Sequence, residues 1–221
     1  MHRDSEEYYI LLQGELRFAV AGAAIALRAG EILMVRPGVR HAIVGGRGRI
    51  EHFGLRAPAL EDKQSVGELQ RAFVPATEER RRELRETWGC RIPLETAENQ
   101  NCWLIGAGKA RFQSSHLILA YLNFRTTEAA NAGIGTRHRL HFHQKSWEYY
   151  VVLKGKKSLR IEDERVTLEA GEILEVPPQV RHTLRGRRAP YEGFTLRVPV
   201  ELDDKVVCPS SSAKRDPVGL A

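Results

Sequence analysis

Displaced by 141 positions, this sequence matches itself: His2 to Pro58 fall on His143 to Pro199 without a gap, and roughly two positions in five are identical. The first copy reads HRDSEEYYILLQG, LRAGEILMVRPGVRH and EHFGLRAP, and the second HQKSWEYYVVLKG, LEAGEILEVPPQVRH and EGFTLRVP. Whatever one copy folds into, the other must fold into as well. Each copy has the pattern of β-structure. In the second, Tyr149 to Leu153 form a β-branched and aromatic run that ends at the turn signal Gly155. Leu159 and Ile161 alternate with charged neighbours, and Val166 and Leu168 follow a polar turn. The Ala170-Gly171 turn then leads to Ile173–Val176, stopped by Pro177 and Pro178. Short strands with turn signals at this spacing predict an all-β sandwich or small barrel in each copy.

The expected organisation is an N-terminal barrel over 1–60, a connector over 61–110, a C-terminal barrel over 111–205 and a flexible tail over 206–221. The connector holds a predicted helix near 77–88, with Thr77 as N-cap and Gly89 as stop. Its Arg80-Arg81-Arg82 run reads as a solvated helix face before it reads as a patch for an anionic partner. The chain has 221 residues and a formal net charge of +6, and charge alone is a weak reason to expect a nucleic-acid partner, so none is expected. Cys90, Cys102 and Cys208 are odd in number and lack close pairing, which fits a reducing, cytoplasmic setting. No apolar run approaches the ~20 residues of a membrane span, and Met1-His2-Arg3-Asp4 opens no leader sequence, so no membrane partner is expected. A Ser-His-Asp order, a P-loop and a GxGxxG are all absent, which leaves covalent hydrolysis and nucleotide use without support.

Five of the eight histidines fall at the same two places in the repeat. In the second copy, His141-Phe142-His143 is followed by Glu148, and His182 sits eleven residues after Gly171. Residues two apart on a strand share a face, so His141 and His143 aim together. A single histidine on a strand is most often a half-buried packing residue. Three imidazoles and a carboxylate, each beside its turn glycine, instead make a set for a borderline divalent ion such as Fe, Mn, Co, Ni, Cu or Zn.

These residues resemble the two-part signature of the cupins, G(x5)HxH(x4)E(x6)G followed by G(x5)PxG(x2)H, and the chain is similar to a bicupin. The second copy matches with Gly135, His141, His143, Glu148, Gly155, Gly171, Pro177 and His182, and departs at Gln179, where the pattern has glycine. The first matches with His2, Glu7, Gly14, Gly30, Gly38 and His41, with Arg36 in place of the proline. The resemblance covers about 115 residues of the chain. It implies two tandem double-stranded β-helix (jelly-roll) barrels with metal inside the barrel. It does not imply one reaction, because cupins include dioxygenases, decarboxylases, lyases, isomerases, epimerases, binding modules and storage proteins.

Counting back 141 from His141 lands before Met1, so the first copy lacks one histidine and everything equivalent to Phe112–Leu140. It offers at most a weaker set of His2, Glu7 and His41, with His2 expected on a frayed terminus. Without those strands the first barrel should have an open edge, unless Met1 is internal to a longer natural chain; otherwise a connector strand such as Cys102–Ile105 or a partner chain should cover it. A homodimer is therefore expected. Around the second copy's site, Tyr150 shares strand parity with Glu148 and should point inward, as a proton donor to substrate or as packing. Arg139 alternates with His141 and His143, facing either the cavity, where it would bind an anion, or solvent. Trp147 is placed at the barrel mouth. The leading expectation is a metalloenzyme for a small oxygen-bearing substrate, of dioxygenase or isomerase/lyase type. The alternative is a non-catalytic cupin that binds a sugar or small acid through its metal.

Overall fold

The computed structural model describes residues 1–65, 77, 79, 89–93, 100–136, 138–201 and 203–209. The described residues are nearly all β-structure, with one short helix over Thr127–Asn131 and a helical position at Glu79. The chain divides into two compact units, Met1–Ala97 with Leu104–Leu117 and Glu98–Trp103 with Ile118–Ala221. The connector is thus not a separate segment, since its strands are divided between the two units.

Unit 1 is built on β1 (Glu6–Val20), β2 (Ala23–Arg28), β3 (Glu31–Val35), β4 (His41–Ala57) and β5 (Gly89–Pro93). These form one sheet in the order β2-β1-β3-β5, with β4 on β1. The connector therefore covers β3, through the register Ile32↔Ile92, and this covering strand is β5. Cys102–Ile105 is also a strand, within β6 (Gln100–Gly106), but its partner in unit 1 is β7 (Phe112–Gln113), at Ile105↔Phe112. Among the described residues no strand pairs with the outer edge of β4. The predicted helix over 77–88 lies outside the described residues except at Thr77 and Glu79.

Unit 2 contains β8 (Ile118–Phe124), helix α1 (Thr127–Asn131), β9 (His141–His143), β10 (Trp147–Ile161), β11 (Glu164–Glu169), β12 (Ile173–Val176), β13 (His182–Val198) and β14 (Lys205–Val207). The bounds of β10, β11 and β13 are those of β1, β2 and β4 moved on by 141 residues. The irregularities move with them: β1 slips register against β4 at Leu11/Gln13 and Gln13/Glu15, and β10 slips against β13 at Val152/Lys154 and Lys154/Lys156. β13 then takes β8 on its other side, from Tyr191↔Phe124 to Arg197↔Ile118, where β4 has no such partner. Val206 and Val207, placed by the sequence in a flexible tail, belong to β14 and pair with Phe142 and His141 of β9.

One expectation is corrected by this arrangement. Gly155 does not end a strand, because β10 runs through it and bends. Its φ is 77°, and a side chain there would collide with the carbonyl oxygens of Arg188 and Pro190 on β13. The bend lets one strand supply both Tyr150 and Val152 on one side and Leu159 on the other to a single core, where Leu122, Phe124, Leu168, Val176 and Tyr191 join them. In unit 1 the matching core is Leu11, Leu16, Phe18, Val20, Leu27, Leu33 and Val35. Burial of such side chains is the main favourable contribution, about 1.5–3 kcal/mol each. No described helix is long and apolar enough to cross a membrane.

Gly155 and Gly171 both have positive φ, but nothing lies within 4 Å of a side chain added at Gly171. Gly171→Ala is expected to cost about 1–2 kcal/mol of unfolding free energy, and Gly155→Ala about 3 kcal/mol or more. Urea unfolding of both variants checks this, and equal losses would mean that β10 and β13 do not press together at the bend.

Candidate metal centre

β9 is only three residues long, which suffices to place two imidazoles side by side on one face, both buried. β13 starts opposite β9, with His182 paired to His141, and Glu148 enters from the start of β10. The donor atoms of His141, His143, Glu148 and His182 all lie within 4.8 Å of one another. Glu148 Oε2 stands 2.8 Å from His182 Nε2 and 3.2 Å from His143 Nε2.

The other ring nitrogen of each histidine is already engaged. Nδ1 of His141 donates to the Arg139 carbonyl at 2.8 Å, that of His182 to the Val180 carbonyl at 2.9 Å, and that of His143 to Asp204 Oδ2 at 3.0 Å. With Nδ1 used as a donor, Nε2 is the nitrogen that faces the shared point, and the ring cannot turn away. Asp204 is itself held, accepting from the Lys145 amide at 2.7 Å. Three oriented imidazoles and one carboxylate fit a transition-metal ion of the borderline class.

The electrostatics agree with this. Burial alone would raise the Glu148 carboxyl, but hydrogen bonds from His143 and His182 outweigh it and hold the group well below the usual carboxylate range. Burial pushes His141 down to about 4, helped by the charge on His182. The Asp204 carboxyl is likewise lowered, because its hydrogen bonds to Ser146, Lys145 and His143 overcome burial. The site thus keeps Glu148 charged and His141 neutral, the forms in which such groups bind metal.

Unit 1 assembles the smaller set His2, Glu7 and His41. Glu7 Oε2 is 2.6 Å from His41 Nε2 and 3.6 Å from His2 Nε2. The tethers repeat: His41 Nδ1 donates to the Val39 carbonyl and His2 Nδ1 to Asp62 Oδ1, both at 2.9 Å. The expectation of a frayed His2 is corrected here. His2 is buried, bridges to Lys63, and accepts the Gly38 amide at 2.7 Å through its carbonyl.

Tyr150 is buried with its ring 6.2 Å from that of His182, as parity required. Burial, and then the charge on Glu148, push its phenol far up, so it stays a hydrogen-bond donor. Tyr149 faces the other way, where Glu175 also raises it. Trp147 is partly exposed. Arg139 is corrected: its side chain is exposed, because the chain enters β9 irregularly and alternation does not extend back to it. Only its carbonyl serves the site. Gln179 takes the place of Gly38 in left-handed backbone, with φ 67° against 76°, and its amide donates to the His143 carbonyl as the Gly38 amide does to that of His2. His52 packs on Tyr9, and His116 and His138 lie outside both sets.

Sequence reasoning missed Asp62 and Asp204. They follow the matched region, at a spacing of 142 rather than 141, and each precedes a lysine, so the recurring Asp-Lys pair was the available signal. It also missed Lys157 and Arg187, buried cations of unit 2.

A family model described as a cupin domain matches residues 1–47 and 132–189. Solved structures share the fold. A cupin 2 conserved barrel domain protein from Leptotrichia buccalis superposes with a TM-score of 0.55 at 12% identity, over 90% of this chain and 76% of that one. The protein Ylba from E. coli gives 0.55 at 11% identity, over 91% and 72%. Oxalate decarboxylase from Bacillus subtilis, a protein with Mn(II) centres, gives 0.50 at 13% identity, over 93% and 66%. No curated protein sequence matches. The domain match falls on both copies of the repeat, and the superpositions show that the fold is shared.

The lowered His141 sets a pH dependence for the metal-free protein. An unfolded imidazole titrates near about 6.5, so between there and pH 4 the unfolded chain binds more protons than the folded one. Stability then rises with pH across that window. The melting temperature of metal-free protein is expected to fall from pH 6.5 to pH 4, and to fall less in His141→Gln. A flat profile for the parent protein would contradict the burial of His141.

Proposed function

We propose that the chain is a bicupin metalloenzyme whose working site is the His141/His143/Glu148/His182 centre of unit 2. The observation that carries the reading is the tethering of all three imidazoles through Nδ1, which aims the three Nε2 atoms and Glu148 at one point. A bound first-row divalent ion would supply Lewis acidity toward a carbonyl or carboxylate oxygen, or redox chemistry with dioxygen. The substrate is a small oxygen-bearing molecule, and the reaction is of dioxygenase or isomerase/lyase type. Tyr150 donates a hydrogen bond to a substrate oxygen, since its raised phenol does not give up its proton to water at neutral pH. Arg139 has no part in this reading beyond its carbonyl. His2, Glu7 and His41 form a second, weaker site, one imidazole short of the first.

Elemental analysis of untagged protein purified without added metal tests the reading. About one ion per chain is expected, lost in His143→Ala and Glu148→Ala while both variants stay folded on their apolar strands. Full metal in both variants would overturn the assignment. Metal that is held while no small carboxylic acid, sugar or ketone is turned over would favour a non-catalytic binding protein.

A further inference from the structure

Unit 2 buries two cations that the matched positions of unit 1 do not carry. Lys157 on β10 is 2% exposed and Arg187 on β13 is 7% exposed. Moved back by 141 residues, they fall on Leu16 and Gly46, and their neighbour Tyr191 falls on Ile50. The space above Gly46 is taken by the Ile50 side chain. The same fold therefore closes this region with apolar groups in one copy and opens it to charge in the other.

The nearest compensating charge is Glu148, which attracts Lys157 without pairing to it, and burial together with Arg187 outweighs that attraction. Among the described residues neither Lys157 nor Arg187 makes an ion pair. Lys157 Nζ rests on the face of Tyr150, 3.7 Å from the ring centre. Arg187 gives Nη1 to the Ala130 carbonyl at 2.6 Å and lies over the Phe124 and Tyr191 rings, 5.3 and 5.6 Å from their centres. Its Nε and the buried Tyr191 hydroxyl make no hydrogen bond of good geometry, and the guanidinium and the phenol are close enough to interact with each other. Burial, and then repulsion from Arg187, hold the Lys157 ammonium well below its usual range. Two like charges and two donors without a good hydrogen bond in one core cost stability unless a counter-charge enters. The cluster adjoins the metal centre, because the Tyr150 ring that carries Lys157 is 6.2 Å from the His182 ring.

We propose that Lys157, Arg187 and the Tyr191 hydroxyl form a subsite for the oxyanion of a small acidic substrate, with a carboxylate as the group bound. The inference rests on the metal-centre reading and deepens it: an ion holds one end of the substrate and this cluster the other. A guanidinium Nε–H, an ammonium and a hydroxyl supply donors to both oxygens of a carboxylate.

Calorimetric titration of the full chain with malonate and with inorganic phosphate tests this, with metal content measured on the same samples. Malonate is expected to bind wild type, and to bind Lys157→Met about 10-fold or more weakly, with unchanged metal content. Ligand-free Lys157→Met is expected to melt higher than wild type, as loss of an unpaired buried charge requires. Tyr191→Phe, which keeps the ring, should also weaken malonate. Tighter binding of phosphate than of malonate would overturn the carboxylate assignment. Equal malonate affinity in wild type and both variants, or no anion binding by metal-loaded wild type, would overturn the subsite. Wild type without metal would overturn the metal reading alone. Malonate should then still raise the melting temperature of wild type and not of Lys157→Met, and equal shifts in the two would overturn the subsite as well.

Discussion

The antiparallel pairing of β10 with β13 is the interaction on which the rest of unit 2 depends. It runs from Trp147↔Val198 to Ile161↔His182, and it is interrupted by the same register slips that bend β1 against β4. Because the two strands bend together at Gly155, one hairpin-like pair brings Glu148 from its beginning and His182 from its far end to the same place. A straight pair of this length, about 50 Å, would hold them at opposite ends. The bend is thus as much a part of the site as the ligands are. It relies on a glycine whose neighbours are main-chain oxygens.

The second constraint is charge. Glu148 and Asp204 are kept ionised by the histidines and amides around them, while His141 is kept neutral by burial. Such an arrangement stabilises the apo protein little, since each desolvated group offsets part of what its hydrogen bonds contribute. Its sense lies in readiness for a cation at one end of the core. Beside it, Lys157 and Arg187 present the opposite problem, buried cations that make no ion pair. Unit 1 has the first feature in reduced form and lacks the second entirely, with Leu16 and Gly46 in place of the cations. The strands β1, β2 and β4 recur as β10, β11 and β13, but the side chains at these matched positions differ in chemistry.

The repeat made much of this legible in the sequence. Turn glycines and β-branched runs located the strands, and the spacing of His141, His143, Glu148 and His182 pointed to four residues whose donor atoms the structure brings within 4.8 Å. What could not be read locally was the continuation of β10 through Gly155. A glycine that bends a strand and one that ends it look alike until the facing strand is known. Arg139 was misplaced for a related reason, because alternation holds only where the chain is a strand and β9 begins at His141. Asp62 and Asp204 escaped because one extra residue breaks the register beyond Pro58 and Pro199. Lys157 was visible as a charged residue at an apolar repeat position, a local contradiction of the kind that marks function.

The central claim is that three imidazoles and a carboxylate of unit 2 hold one transition-metal ion. X-ray absorption at the K edge of the bound metal reads this most directly. The account predicts a first shell of nitrogen and oxygen at about 2.0–2.2 Å, with the outer-shell scattering of about three imidazole rings. In His143→Ala the imidazole signal or the edge itself should be lost. A shell containing sulfur at about 2.3 Å, or one without imidazole scattering, would place the metal on other residues and contradict the account.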